Sequence, residues 1–247
     1  FAADAASLVD VAGLNSRVEA AGFTGARSYR QRQGDLVFGA GTTLSAHSLQ
    51  LAADGGALVI DGAVNLVGAH ASANFSGGTR VGIAGHVAAA QGGDLTLNAL
   101  ADGATIDVAP TAGIDLGNGA LTLRVRDDDT VARRVTLGAG VGAKTTLDLV
   151  SFVTVGDGIW NSVDQDVLHA TFDASNARLA ALRGTLPAGT LLSLSAMITA
   201  PANLAVTDSV DFASWRFGDA PGTIGFRSGG DLNLLADISD GMAIQMF

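Results

Sequence analysis

Acidic and basic side chains crowd into one short stretch, RVRDDDTVARR at 124–134. Asp127, Asp128 and Asp129 are oxygen donors of the kind that hard cations such as calcium prefer. Three adjacent carboxylates do not surround an ion, and their spacing is not the alternate-position loop of an EF-hand. Arg124, Arg126, Arg133 and Arg134 flank them and offer ion pairs instead, so the expectation is a solvent-facing turn, with calcium as the rival. A second possibility is glycoside chemistry, in which two carboxylates flank a glycosidic oxygen at roughly 5 to 9 Å. Asp94, Asp107 and Asp115 are the available acids, each beside a turn or at an outward position of an alternating strand. Two tryptophans and one tyrosine leave little material for the aromatic subsites of a polysaccharide cleft.

The remaining reactive residues form no recognisable constellation. His47, His70, His86 and His169 lack metal spacing such as H-E-x-x-H, and no G-x-S-x-G elbow accompanies the many serines. GAGVGAK at 138–144 lacks both the P-loop spacing and a following helix, and reads as a turn. Expected, therefore, are no catalytic and no cofactor-binding residues.

Composition narrows the classes further. Of 247 residues, 33 are glycine and 4 proline without a G-X-Y period, and 48% are hydrophobic, which excludes both collagen and disorder. Aromatics are only 5%, so the core is built from Ala, Val, Leu and Ile. The net charge of −10 disfavours nucleic acid and acidic lipid as partners. Cysteine is absent, which is compatible with secretion without proving it. No signal peptide and no run of about 18 apolar residues is seen. A chain from Phe1 to Phe247 reads as processed, or as a section of something longer.

The elements that must carry these residues are mostly short strands. A three-and-four spacing of Leu8, Val11, Leu14 and Val18 predicts a helix over 4–22, capped by Asp4 or Ser7 and ended by Gly22. Between 34 and 154 the pattern becomes apolar bursts bounded by Gly, Asp or Asn, such as DLVFG, GALVIDG and DLTLNAL. Leu36, Leu58, Val81 and Leu95 mark comparable starts at intervals of 22, 23 and 14, a period near 20 that signals a solenoid of roughly eight to ten turns. A single turn cannot bury its inner face, whereas stacked turns bury a continuous column. A β-sandwich is the rival, and its hairpin signals are present at Asn118-Gly119 and at Asp54, Asp61, Asp102 and Asp157, each followed by glycine. Residues 159–184 are poorer in glycine and end in a second helical pattern around 173–183, with Phe172, Leu179 and Leu182 apolar and Asp173 or Ser175 as caps. Trp160 and Trp215 flank the interruptions of the repeat and are expected to anchor this excursion, with Arg216 over an aromatic face. The division is a helical or irregular segment at 1–28, repeats at 29–158, the excursion at 159–184 and further repeats at 185–247.

Two stretches carry a family likeness. RQRQGDLVFGAGTTLSAHSLQLAADGGALVIDGAVNL at 30–66 and WRFGDAPGTIGFRSGGDLNLLADISDG at 215–241 are similar to the large exoproteins related to filamentous haemagglutinin, secreted by the two-partner route. The region before the second stretch resembles the short helical segment of those chains. The resemblance covers most of the chain and implies a right-handed parallel β-helix, all-β with short helical segments, serving adhesion at the cell surface or after release. It implies export of the full chain through an outer-membrane transporter, and a glycan or protein on a host or neighbouring cell as partner. Neither the secretion domain nor a toxin domain of that family is evident, so the section corresponds to its shaft. A polysaccharide lyase or hydrolase, also built on parallel β-helices, is the enzymatic alternative. Open column ends carry unpaired strands, so end-to-end association is a further expectation. The repeated GGDLTL (92–97) and GGDLNL (229–234) are read as corners leading into shaft strands, with Leu95, Leu97, Leu232 and Leu234 pointing inward.

Overall fold

A computed structural model describes residues 1–128, 131, 134–138, 140–142, 144–184, 186–212, 215 and 217–239. Asp129, Arg133, Arg216, parts of the 138–144 stretch and the Gly241 end of the second likeness lie outside the described residues. The chain divides into two compact units, Phe1–Leu147 with Thr185–Thr190, and Asp148–Gly184 with Leu191–Phe247.

Unit 1 opens with β1 (Ala2–Ala5) and α1 (Val11–Ala20), then turns through β2 (Ala26–Gln31), β3 (Leu36–Phe38) and β4 (Thr43–Ala46). Each later turn repeats that three-strand order: β5 (Ser48–Ala53), β6 (Ala57–Ile60) and β7 (Ala63–Leu66), then β8 (Ala71–Gly77), β9 (Arg80–Ile83) and β10 (His86–Ala88). A further turn holds β11 (Gly93–Ala99), β12 (Thr105–Val108) and β13 (Gly113–Asp115), and the next holds β14 (Ala120–Arg126) and β15 (Val135–Thr136). Strands stack into three parallel ladders, β1-β2-β5-β8-β11-β14, β3-β6-β9-β12-β15 and β4-β7-β10-β13. This is a right-handed parallel β-helix, the hand that right-twisted strands impose on parallel crossovers.

Register makes the core a set of columns. Leu49, Ala73, Leu95 and Leu121 are successive partners, and beside them run Leu51, Phe75, Leu97 and Leu123. All eight are buried. Leu36, Leu58 and Val81 also stack directly, but the next member of that column is Ile106 rather than Leu95, which lies in a different ladder. The interval of 14 therefore ran from one face of a turn to a different face of the next. True turns lengthen along the unit: Leu44, Val64, Val87 and Ile114 are in register at intervals of 20, 23 and 27.

The Asn-Gly and Asp-Gly pairs are corners between ladders rather than hairpins. A side chain on Gly119 would collide with the Gly93 carbonyl of the preceding turn, and one on Gly85 with the Gly62 carbonyl. At these two corners backbones of neighbouring turns touch and no Cβ fits, whereas Gly103 meets nothing and is required by its φ of +70°.

The first helix is shorter than expected. Residues 2–5 pair with Ser28–Gln31 as a strand, and Asp10 is the N-cap, its carboxylate accepting from the Gly13 N–H at 2.9 Å. Gly22 ends the helix at φ +72° as anticipated. α1 lies on β3 and β4. Fully buried Arg27 stands in register with Leu49 at the foot of the Leu95 column. Its Nη1 donates to Glu19 of α1 at 2.6 Å, while Tyr29 Oη donates to Asn15 Oδ1 at 3.0 Å. The column thus ends on a polar clasp held by α1.

β16 (Lys144–Thr154) carries the chain into unit 2, which continues through β17 (Ile159–Trp160), α2 (Ser162–Leu182), β18 (Leu191–Ala200), β19 (Leu204–Val206), β20 (Val210–Asp211), β21 (Ile224–Ser228), β22 (Leu232–Leu234) and β23 (Ile238–Ser239). Its ladders are again parallel, β18 with β21, β17-β19-β22, and β20 with β23. The second helix begins well before Asp173 or Ser175. Asn161 caps it in a capping box, with Val163 N–H donating to Asn161 Oδ1 at 2.9 Å and Asn161 N–H to Asp164 Oδ2 at 3.0 Å. Leu168, Phe172, Ser175, Leu179 and Leu182 form its buried face at helical spacing. Among the described residues no helix is long and apolar enough to cross a membrane.

Candidate functional site

The acids singled out in the sequence are held by the repeat itself. Asp128 pairs with Arg134, whose guanidinium is almost fully buried and also lies 3.7 Å from Asp102. Asp127 follows β14 directly, and Asp129 lies outside the described residues. Among the described residues no group of three or more His, Asp or Glu side chains converges as metal ligands.

Asp94, Asp107 and Asp115 stand on β11, β12 and β13, one in each of the three ladders, so no two share a face. Each already has a partner. Asp94 Oδ1 accepts from the Ala120 N–H at 3.0 Å, tying one turn to the next. Asp107 pairs with Arg80 at 3.0 Å, and Asp115 accepts from the Gly117 N–H at 3.1 Å. The histidines are equally dispersed. His47 Nδ1–H donates to the Val67 carbonyl at 3.0 Å, and His70 occupies a corner at φ +57°. In the 138–144 stretch, Val141 bridges to Ile114, and Gly138 and Gly140 lie against the Ala109 and Ala112 carbonyls, so the segment is laid along the preceding turn.

Concave features carry further polar and aromatic groups. An open groove of about 450 Å³ in unit 1 follows one corner over successive turns, with Thr42, Asp61, His86 and Thr111 on its walls. Gly62, Gly85 and Gly113 also line it: a Cβ on Gly62 or Gly85 would meet a carbonyl of the preceding turn, and one on Gly113, which is in register with His86, would meet the His86 ring. Sequence reading named Asp61 and His86 only as a turn and a lone histidine. Their juxtaposition depends on the 23-residue length of the turn between them.

A second feature is an aromatic cavity of about 760 Å³ in unit 2, walled by Phe172, Phe212, Trp215, Phe217 and Phe226, a volume ordinary for a ligand pocket. Its rings meet edge to face: Phe172 lies 6.0 Å from Trp215 and 5.3 Å from Phe217, and Phe212 lies 4.9 Å from Trp215. His169 of α2 packs on Trp215 and Phe217 as well. Trp215 thus anchors α2, as its place in the sequence suggested, while fully buried Trp160 meets Phe226 at 6.1 Å. The rim carries Asp219, bound by Arg183 at 2.6 Å. That hydrogen bond holds the Asp219 carboxyl below the ordinary value of 3.8, against a smaller upward push from burial.

Fold and surface define the class: a right-handed parallel β-helix repeat protein with a helical insertion. No family model, no curated protein and no solved structure matches the chain.

Proposed function

We propose that this chain is a non-catalytic adhesion or surface-scaffolding segment of a large secreted bacterial exoprotein of the filamentous haemagglutinin type. One observation supports the reading above others. The acids available for chemistry, Asp94, Asp107 and Asp115, are dispersed over three ladders and bonded to backbone or arginine. A repeated polar surface on a rigid stack of turns suits presentation of binding patches at a set distance from a cell. The polar corner groove of unit 1 is the patch we assign to a surface glycan. Its hydroxyls, carboxylate and imidazole supply hydrogen bonds along the open corner. Within this reading the full chain is exported through an outer-membrane transporter and acts at the cell surface or after release.

Screening the protein against glycans and polysaccharides tests the proposal. Binding without turnover, weakened by replacing Asp61 and His86 with alanine, is the expected result. Product formation that disappears on substituting a pair of acids makes the chain a polysaccharide-processing enzyme instead.

A further inference from the structure

We propose that the corner groove of unit 1 takes an extended, uncharged, β-linked glycan chain laid parallel to the axis of the stack, with one sugar residue to each turn. The inference rests on the glycan reading above and names the class of glycan. The groove crosses four successive turns, because Thr43, Ala63, His86 and Gly113 on its walls are partners in one continuous parallel register. Each of those turns brings a polar side chain to the corner: Thr42 on the first, then Asp61, then His86, then Thr111. Parallel strands repeat at about 4.8 Å, close to the advance of one pyranose residue in an extended β-linked chain. Hydrogen-bonding groups thus recur at the step at which such a polymer presents its hydroxyls. A chain running across the turns, rather than along a strand, meets all four.

Asp61 and His86 are exposed, and neither makes a side-chain hydrogen bond or ion pair among the described residues. Asp94, Asp107 and Asp115, by contrast, are bonded to backbone or arginine. The His86 imidazole lies along the corner, over the turn that carries Thr111, since a Cβ added to Gly113 would collide with the ring. Glycine at 113 leaves it that room. Charge then sets the class of sugar. Among the described residues the walls hold the Asp61 carboxylate and no lysine or arginine, on a chain whose formal charge is −10. A uronic, sialic or sulfated sugar would bring a second anion to Asp61 with no cation to offset it. An uncharged sugar instead presents adjacent hydroxyls that donate to the two carboxylate oxygens, while imidazole and threonine hydroxyls serve its neighbours. The walls also lack an aromatic side chain on which a sugar ring could stack. Each residue is therefore held by its hydroxyl edge alone, a small net gain in water, and affinity accumulates along the chain.

Isothermal titration calorimetry of the 247-residue chain with β-1,4-linked oligomers of glucose, mannose and N-acetylglucosamine, from two sugars to six, tests this. Oligomers of β-1,4-linked mannuronic acid are the charged arm. Expected is a neutral series whose affinity rises up to four sugars and levels beyond, with mannuronic acid oligomers of equal length bound at least tenfold more weakly at low salt. Asp61→Asn should narrow that ratio several-fold, and Thr111→Ala should move the plateau from four sugars to three. Gln50→Ala, on β5 in another ladder, should change neither. Acidic oligomers bound as tightly as neutral ones, and lost when Asp61 and His86 are both replaced by alanine, overturn this inference and leave the glycan reading standing. Equal affinity for two sugars and for six also overturns it. Failure of every oligomer to bind, neutral or acidic, overturns both. Should a variant fail to fold, the length series and the neutral-to-acidic ratio of the parent chain decide alone.

Discussion

Truncating Leu95 to alanine probes the stacked column at its centre. The side chain is fully buried, with Ala73 on one side and Leu121 on the other in the same register. Losing three carbons at about 0.8 kcal/mol each removes about 2.4 kcal/mol of transfer energy. Ala73 has only a methyl group to offer and cannot fill the hole, so part of the cavity persists and the total should reach about 3 to 4 kcal/mol. Its chain neighbour Asp94 provides the contrast, since it is exposed and accepts one hydrogen bond, from Ala120. Asp94→Ala should cost about 0.5 to 1.5 kcal/mol. Both effects are read from urea unfolding followed by far-ultraviolet circular dichroism, with the midpoint and slope compared against the parent. Trp160 and Trp215 lie in unit 2, so their fluorescence should report the Leu95 change less than backbone dichroism does. An Asp94→Ala cost equal to or above that of Leu95→Ala refutes the stacked-column reading of the GGDLTL motif.

Corner glycines should be selectively intolerant: Gly119→Ala, which meets the Gly93 carbonyl, should destabilise by about 1 to 3 kcal/mol, whereas Gly156→Ala, which meets nothing within 4 Å, should stay within about 0.5 kcal/mol in the same assay. In unit 2 the buried Asp148 carboxylate accepts from Ser193 at 2.9 Å and Ser195 at 2.7 Å, so Asp148→Ala, which leaves two buried hydroxyls without it, should cost about 2 to 4 kcal/mol by denaturant unfolding. Because Arg183 lowers the Asp219 carboxyl, the stabilisation it supplies is present above pH 3.8 and is lost as the pH falls through the lower folded value. In Arg183→Ala, carbon-detected NMR titration should place that carboxyl nearer 3.8. With Asp128 engaged by Arg134, addition or chelation of calcium should leave the melting temperature unchanged, and a calcium-dependent rise would assign Asp127, Asp128 and Asp129 as a cation site.

Legibility followed locality. The Leu36–Leu58–Val81 spacing was readable because those residues repeat in one ladder with nearly constant turn length, and Gly22 was readable as a helix stop because a positive φ there requires glycine. The helix over 4–22 was overextended because Ala2–Ala5 are neutral in pattern and their pairing with Ser28–Gln31 is a long-range event. α2 was located only in its second half, since Leu168 and the Asn161 capping box lay within a stretch whose polar residues masked the period. Leu232 and Leu234 repeat the alternation of Leu95 and Leu97 and stand in register with Leu204 and Val206, yet they are 44% and 58% exposed among the described residues. Alternation states which residues share a face without stating whether anything covers it.

By itself the sequence determined a glycine-cornered, aliphatic, acidic repeat whose turns must stack to bury their inner faces, because no single turn of such residues holds a core. Tertiary structure alone decided which turns align, since turn length drifts from 20 to 27 residues and only hydrogen-bonded register fixes a strand's partner. It placed Asp94, Asp107 and Asp115 on three different faces and gathered Phe172 of α2 with Phe212, Trp215, Phe217 and Phe226 around one cavity. Each of these depends on contacts between residues far apart in the chain, which local pattern does not encode.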